Sequence, residues 1–125
     1  MKKIISTENA PAAIGPYSQA IMAGNTLYCS GQIAINPATG ELDTSSIKAE
    51  TTQIMKNIEA VLTAAEMDFD HVVKVTIFLN DMAHYNEVNE VYASYFESSV
   101  PAREAVAVAG LPKGVNVEIS TIAVK

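Results

Sequence analysis

The stretch REAVAVAGLPKGVNVEISTIAV, residues 103–124, carries two apolar patterns separated by LPKG, a segment whose proline and glycine favour a turn. Successive side chains of a strand point to opposite faces of its sheet. In the first pattern Arg103 then shares a face with Ala105, and in the second Glu118 lies opposite to Val117. The stretch therefore predicts two consecutive strands, the first of which holds the only arginine of the chain.

Upstream of this stretch, turn signals and periodicity predict a hairpin, a loop and another strand. Gly24-Asn25 stands between two apolar segments and is a two-residue hairpin signal, because glycine tolerates the positive φ of such turns. NPATGEL, which begins at Asn36, is rich in turn-forming residues and predicts a surface loop. HVVKVTIFLN, residues 71–80, is rich in β-branched residues with partly blurred alternation and predicts a well-covered strand.

Two helices complete the prediction. Apolar residues recur at three- and four-residue spacing from Ile47 to about Met67, and a second apolar stripe runs from about Met82 to Glu97. The order of elements is then hairpin, helix, strand, helix, strand, strand, which predicts an α+β fold with both helices on one face of a mixed sheet. The other face of that sheet meets either water or another subunit.

Composition limits the class of protein. With 125 residues, about half of them apolar, we expect one domain over residues 1–125. The net charge of −6 and the scattered lysines argue against nucleic acid as the main partner. His71 and His84 lack ligand-like spacing, so no metal site is expected, and the lone Cys29 excludes an internal disulfide. No apolar run approaches the length of a signal peptide or a membrane span, so we expect a cytoplasmic protein with no membrane partner.

Arg103 and Glu118 are the first candidates for a functional site. If the two strands of residues 103–124 pair, the two side chains occupy neighbouring positions over a floor of small residues. A guanidinium can bind a carboxylate through two parallel hydrogen bonds, and a nearby glutamate can act as a general base or orient a water molecule. The alternatives are an ordinary cross-strand ion pair and an arginine that extends into solvent at the strand edge.

Five sequence blocks together resemble one known family. They are GPYSQAI from Gly15, SGQI from Ser30, NEVY from Asn89, PAR at 101–103 and LPKGVNVEI ending at Ile119. The chain resembles the reactive-intermediate deaminases, the YjgF-type family that also carries the label endoribonuclease L-PSP. The resemblance implies a chorismate-mutase-like α+β fold and a homotrimer with sites between subunits. It also implies hydrolysis of reactive enamines and imines, such as 2-aminoacrylate and 2-aminocrotonate, to 2-keto acids and ammonia, with no metal or organic cofactor.

The resemblance also assigns roles to residues of this chain. Arg103 matches the arginine that clamps the substrate carboxylate, and Glu118 matches the acid that positions water and moves protons. The residues expected to line the substrate site are Tyr17, Ser30, Gly31, Asn89 and Ala105. The expected partner is therefore a small 2-imino or 2-keto acid.

Two positions depart from the family pattern. Ala105 stands where the family commonly has cysteine, which removes any thiol mechanism there. Glu104 stands where a small or weakly polar residue is usual. Strand alternation points it away from the site, but a carboxylate next to Arg103 would still lower the attraction for anionic substrates through a short-range Coulomb effect. Two further functions stay open: a regulatory trimer that senses small carboxylates without turnover, and the ribonuclease activity ascribed to some relatives, which the acidic net charge disfavours.

Overall fold

Six strands form one mixed sheet in the computed structural model, which describes residues 2–125. The strands are β1 (Lys2–Ile5), β2 (Ala20–Ala23), β3 (Thr26–Gln32), β4 (Val72–Leu79), β5 (Ala102–Ala107) and β6 (Val117–Val124). The helices are α1 (Ile47–Ala64) and α2 (Tyr85–Ala93), with short 3-10 turns at Phe69–His71, Met82–His84 and Pro112–Gly114. Neither helix of this described chain has the length and apolar content that a membrane span needs.

The strand order is β1-β2-β3-β6-β4-β5, so β4 lies between the last two strands of the chain. All neighbouring strands are antiparallel except β4 and β5, which are parallel. The pairing of β5 with β6, which would have brought Arg103 next to Glu118, is therefore wrong. The reason is the crossover through α2, which returns the chain to the end where β4 began, so that β5 runs parallel to β4 and takes the sheet edge.

Both helices pack on one face of the sheet, as the sequence predicts. The helix-covered face holds the inward residues of β3, β4 and β6, which have no more than 2% of their surface exposed: Leu27, Val75, Ile77, Leu79, Val117, Ile119 and Ala123. The other face, here called the open face, carries large side chains that stay partly exposed, including Tyr28 at 51% and Val106 at 41%. An apolar surface of this kind is typical of a protein contact.

The hairpin and the start of the first helix agree with their predictions, whereas both helices end earlier than predicted, α1 at Ala64 instead of about Met67. Gly24 has a φ of 59° between β2 and β3, and Ser46 caps α1 by accepting a hydrogen bond from the Ala49 amide at 3.0 Å. α2 ends at Ala93, four residues before the predicted end at Glu97. The chain turns there, which lets the ring of Phe96 pack edge-on against the ring of Phe69, with centroids 5.3 Å apart.

A buried glutamine fixes the segment that precedes β2. Gln19 is 5% exposed, and its side-chain oxygen accepts a hydrogen bond from the Thr7 amide at 2.7 Å. Its amide nitrogen donates to the carbonyl oxygens of Thr7, Ala10 and Pro11. These hydrogen bonds hold the irregular segment between β1 and β2 against the end of the sheet, where it forms one wall of a cavity.

Candidate active site

Arg103 and Glu118 lie on opposite faces of the sheet. Arg103 of β5 is level with Val75 of β4, and Glu118 of β6 is level with Phe78 of the same strand. Residues three apart on a strand point to opposite faces, so Arg103 lies on the helix-covered face and Glu118 on the open face. The two side chains form no ion pair in the described chain, which excludes the cross-strand ion pair as an explanation of this arginine.

Helix α2 holds the guanidinium of Arg103. Nη1 donates to Asn89 Oδ1 at 2.7 Å and Nη2 donates to the Tyr85 hydroxyl at 2.7 Å. The guanidinium carbon also lies 4.9 Å from the ring centroid of Tyr92, within the range of a cation–π interaction. A guanidinium carries five N–H donors, so three remain for a ligand. This arginine is therefore oriented by the helix and does not extend freely into solvent.

The cavity beside this arginine, here called the Arg103 recess, is lined by Asn89, Tyr92, Ala93, Phe96, Val100, Pro101 and Arg103. No carboxylate of residues 2–125 lies within 4.0 Å of the guanidinium. Burial raises the pKa of Tyr92, and the charge of Arg103 partly offsets that rise. The recess thus offers an oriented cation with no counter-ion of its own, which suits a small carboxylate.

Tyr85 is a functional candidate that the sequence reasoning missed. It lies within the apolar stripe predicted from about Met82 to Glu97, and its hydroxyl accepts a hydrogen bond from Arg103. The signal was available in its spacing, because Tyr85 and Asn89 are four residues apart and so share one face of α2.

The cavity around Glu118, here called the Glu118 cavity, has a volume of about 560 Å³ and lies at the end of β3 and β6. Its lining residues are Pro11, Ala12, Ile14, Tyr17, Gln19, Ser30, Gly31, Gln32, Ile33, Ile35, Pro112, Lys113 and Glu118. The structure thus brings together Tyr17, Ser30, Gly31 and Glu118 of the predicted site residues. Glu118 is the one carboxyl group in this lining, and Tyr17 and Lys113 are its other ionisable side chains.

A β-bulge places Gly31 against the carboxyl group of Glu118. Cys29 pairs with Thr121 and Gln32 pairs with Ile119, so β3 has one residue more than β6 over this interval. A Cβ atom at Gly31 would lie 2.5 Å from Glu118 Oε2, which means that only glycine leaves room for the carboxyl group. Burial in this position raises the pKa of Glu118.

Hydrogen bonds near the mouth of the Glu118 cavity fix the position of Ser30. Its hydroxyl donates to the Ser18 carbonyl oxygen at 2.6 Å, so its lone pairs are left as acceptors. Tyr17 follows Gly15, whose φ of 139° is open to glycine, and the Tyr17 amide donates to the Gly15 carbonyl oxygen at 2.9 Å. The ring of Tyr17 stays 54% exposed and is therefore accessible to a ligand or to another chain.

Ala105 and Glu104 lie outside both cavities. Ala105 packs against the core on the helix-covered face, so the structure does not bring it to the Glu118 cavity or the Arg103 recess. Glu104 points to the open face, where it accepts a hydrogen bond from Thr76 and pairs with Lys74 at 3.0 Å. These contacts lower the pKa of Glu104, with the Thr76 hydrogen bond as the largest cause. Its charge is thus paired on the face opposite to Arg103.

No cluster suited to a metal ion accompanies these cavities. Across residues 2–125 there is no group of three or more histidine, cysteine, aspartate and glutamate side chains with such geometry. Burial raises the pKa of Cys29, which keeps its thiol protonated and poorly nucleophilic.

Comparison with known proteins gives full-length matches. The family model described as Endoribonuclease L-PSP matches residues 7–125. A Mus musculus protein named 2-iminobutanoate/2-iminopropanoate deaminase is 49% identical over 125 residues, which cover 100% of this chain and 93% of the relative. A Lactococcus lactis protein that carries the name of a regulator, AldR, is 50% identical over 97% of this chain and 96% of its own length. A crystal structure from Thermotoga maritima has a TM-score of 0.98 and 49% identity, covering 100% of this chain and 98% of that one.

Replacement of Gly31 by alanine should move the carboxyl group of Glu118. Because that group is the far end of a flexible side chain, we expect the free energy of unfolding to change by no more than about 1 kcal/mol. The displaced carboxyl group becomes more exposed, so its pKa should fall toward 4.5, the ordinary value for glutamate. A ¹³C NMR titration of Glu118 measures this shift. Gly110→Ala is the matched control, because a Cβ atom there meets nothing within 4 Å, and an unchanged titration in Gly31→Ala would contradict the account.

The raised pKa of Glu118 predicts a specific dependence of stability on pH. Below the ordinary pKa of 4.5 the carboxyl group is protonated in both the folded and the unfolded chain, so its burial does not lower the free energy of unfolding there. As the pH rises through the folded pKa, the unfolded chain releases its proton more readily and the folded state loses stability. The free energy of unfolding of the wild type, minus that of Glu118→Gln, should therefore fall over the pH range that begins near 4.5 and extends through the folded pKa. Urea denaturation across this range measures the difference, and a flat or rising difference would refute the assignment.

Proposed function

Because this chain belongs to the endoribonuclease L-PSP family, we propose that it is a deaminase that hydrolyses short 2-imino acids and their enamine tautomers to 2-keto acids and ammonia. Family membership confirms the prediction made from the sequence blocks. The main support for the proposal is that the carboxyl group of Glu118 lies half-buried in the wall of a cavity and has a raised pKa. The mouse relative that is named for this reaction supports it.

The chemistry needs one group that can both accept and donate a proton. An enamine first tautomerises to the imine, and water then adds to the carbon of the C=N bond. Glu118 orients this water molecule, accepts a proton from it as the C–O bond forms and passes that proton to nitrogen, which gives a carbinolamine. It then accepts the hydroxyl proton as the C=O bond forms and delivers it to nitrogen, so that the C–N bond breaks and ammonia leaves. A raised pKa suits this cycle, because the carboxyl group then releases and regains its proton more readily near neutral pH.

Arg103 supplies the second part of the proposed site. Its three remaining N–H donors suit the carboxylate of a 2-imino acid, and Asn89 and Tyr85 keep the guanidinium in a fixed orientation. Asn89, which the resemblance places in the substrate site, acts here through Arg103. An oriented cation lowers the cost of holding the substrate in one reactive position.

One copy of the chain does not bring these two parts to the same substrate. The Arg103 recess lies on the helix-covered face and the Glu118 cavity on the open face, with the sheet between them. We therefore propose that each site combines the Arg103 recess of one copy with the Glu118 cavity of another. The homotrimer implied by the family resemblance satisfies this requirement through cyclic symmetry. The exposed apolar residues of the open face, such as Tyr28 and Val106, suit the contact between copies.

The name of the Lactococcus lactis relative supports a second candidate function, that of a regulator which binds a small carboxylate without turnover. Such a protein would use Arg103 in the same way but would not depend on proton transfer by Glu118. Ribonuclease activity has less support, because a net charge of −6 repels a phosphate backbone.

The direct test is hydrolysis of 2-aminocrotonate, generated from threonine by a dehydratase, with an added amine that traps free imine. The wild type should accelerate release of the 2-keto acid. Arg103→Ala should raise KM by about 10- to 100-fold through loss of charge-assisted hydrogen bonds, and Glu118→Gln should lower kcat by about 10²- to 10⁴-fold. Glu104→Gln is the matched control and should stay near wild type, because Glu104 faces away from Arg103. Binding of the 2-keto acid that depends on Arg103, with no acceleration by the folded wild type, would favour the regulator.

Mixing two inactive variants tests whether the site lies between copies. Arg103→Ala and Glu118→Gln are co-expressed in equal amounts and purified as one oligomer. If each site takes its arginine and its glutamate from different copies, about one quarter of the sites should contain both, and activity should return to about that fraction. A site within one chain predicts no recovery, and so does a protein that stays monomeric.

A further inference from the structure

A carboxylate with no cation lies buried between α1 and β6. Glu50 has 0% of its surface exposed, and no lysine, arginine or histidine nitrogen of residues 2–125 lies within 4.0 Å of it. Its Oε2 accepts hydrogen bonds from the amides of Asn116 at 2.9 Å and Val117 at 3.0 Å. Its Oε1 accepts one from Asn116 Nδ2 at 2.8 Å. Three N–H donors thus replace the water that this carboxylate loses on burial.

The residues that Glu50 holds come directly before Glu118. At the start of β6 the Val117 amide donates to Glu50, and the β-bulge in β3 interrupts the regular ladder on the neighbouring side. The segment before them is the Pro112–Gly114 turn, in which Lys113 has a φ of 56°, a conformation that costs energy for lysine. The β4 ladder holds Val117 and Glu118 on one side, and Glu50 adds hydrogen bonds to the backbone of Asn116 and Val117 just before Glu118.

Asn116 is held from the other side as well. Its Oδ1 accepts a hydrogen bond from Asn80 Nδ2 at 2.9 Å, and its carbonyl oxygen accepts one from the Asn80 amide at 3.0 Å. Glu50 and Asn80 together fix both the backbone and the side-chain orientation of Asn116.

We propose that Glu50 is a positioning residue, which sets where the carboxyl group of Glu118 lies against Gly31 by fixing Asn116 and Val117. The kinetic consequence rests on the proposed hydrolysis, whereas the structural consequence for Glu118 does not. Glu50 has no contact with either cavity, so it acts only through the backbone of β6.

The Glu50→Gln substitution keeps the size of the side chain but leaves it one oxygen acceptor and an NH₂ donor group in place of two oxygen acceptors. If its one oxygen accepts from the amides of Asn116 and Val117, its NH₂ group faces Asn116 Nδ2, and two donors meet. Rotation of the Asn116 amide would relieve this contact but would break the hydrogen bond from Asn80 Nδ2. Glu50→Gln therefore loosens the segment without opening a cavity in the core.

The test compares Glu50→Gln with the wild type in kcat, KM and the ¹³C NMR titration of Glu118. We expect kcat to fall by about 10- to 100-fold, as for a misplacement of the reacting group by about 1 Å. KM should stay within about twofold, because Arg103, the proposed carboxylate clamp, lies on the other face of the sheet. The pKa of Glu118 should move toward its ordinary value as the side chain leaves the cavity wall.

Thr51→Ala is the matched control for a purely structural role. Thr51 is also fully buried on α1, but its hydroxyl donates to the Ile47 carbonyl oxygen within the helix and makes no hydrogen bond to β6. This variant should lose thermal stability and still keep the kcat and the Glu118 titration of the wild type. If Glu50→Gln does not fold, Asn116→Ala should show a smaller loss of kcat with KM unchanged, since two backbone hydrogen bonds to Glu50 remain.

A folded Glu50→Gln variant with the kcat and Glu118 titration of the wild type would overturn the proposal. A Thr51→Ala variant that reproduces both changes at a similar loss of Tm would overturn it as well. If Glu50→Gln does not fold, an Asn116→Ala variant with the wild-type kcat would also overturn it. A wild type that does not hydrolyse imines would refute the proposed function alone. The NMR titrations of the same variants would then still decide the role of Glu50.

Discussion

The central place of β6, antiparallel to both β3 and β4, is the constraint on which the rest of the molecule depends. Its inward residues, Val117, Ile119 and Ala123, are fully buried under the helices, and this fixes which side chains of the strand face the other way. Glu118 must then lie on the open face. Because β5 is joined to the same sheet through β4, the same rule assigns Arg103 to the covered face.

Two opposite charges are thus separated by the sheet and neither is neutralised by the other. Arg103 is oriented by an amide oxygen and a hydroxyl group, which leave its charge in place. Glu118 is held against a glycine and forms no ion pair within 4.0 Å in residues 2–125. In a low-dielectric setting each of these groups attracts a substrate or a proton more strongly than a paired group would. The chain contains no ion pair between them that a ligand would first have to break.

Structural elements that depend only on neighbouring residues could be predicted from the sequence. The Gly24-Asn25 turn, the start of α1 at Ile47 and the strand at residues 72–79 follow from turn preference, capping and periodicity. The adjacency of β4 and β5 did not follow, because pairing between distant segments is decided by the crossover and by the packing of the whole sheet. The motif blocks located Tyr17, Ser30, Gly31 and Glu118, which the fold brings to one cavity. Buried polar residues such as Gln19 and Glu50 have no periodic signature, since their roles depend on partners that the sequence places far away.

The packing of the core and the shape of the Glu118 cavity both depend on the one extra residue that the β-bulge at Ser30 and Gly31 adds to β3. Without the extra residue, the N-terminal part of β3 would shift by one position against β6, so that Leu27 would face outward and Tyr28 inward. An insertion or a deletion in this short interval would therefore disturb both the packing under the helices and the room beside Glu118. Changes in chain length are better tolerated in the turn-rich loop from Asn36 to Gly40, where the residues are exposed or half-buried. This loop takes part neither in the packing under the helices nor in the space beside Glu118. Divergent copies of this chain would then differ in loop length there while keeping the bulge.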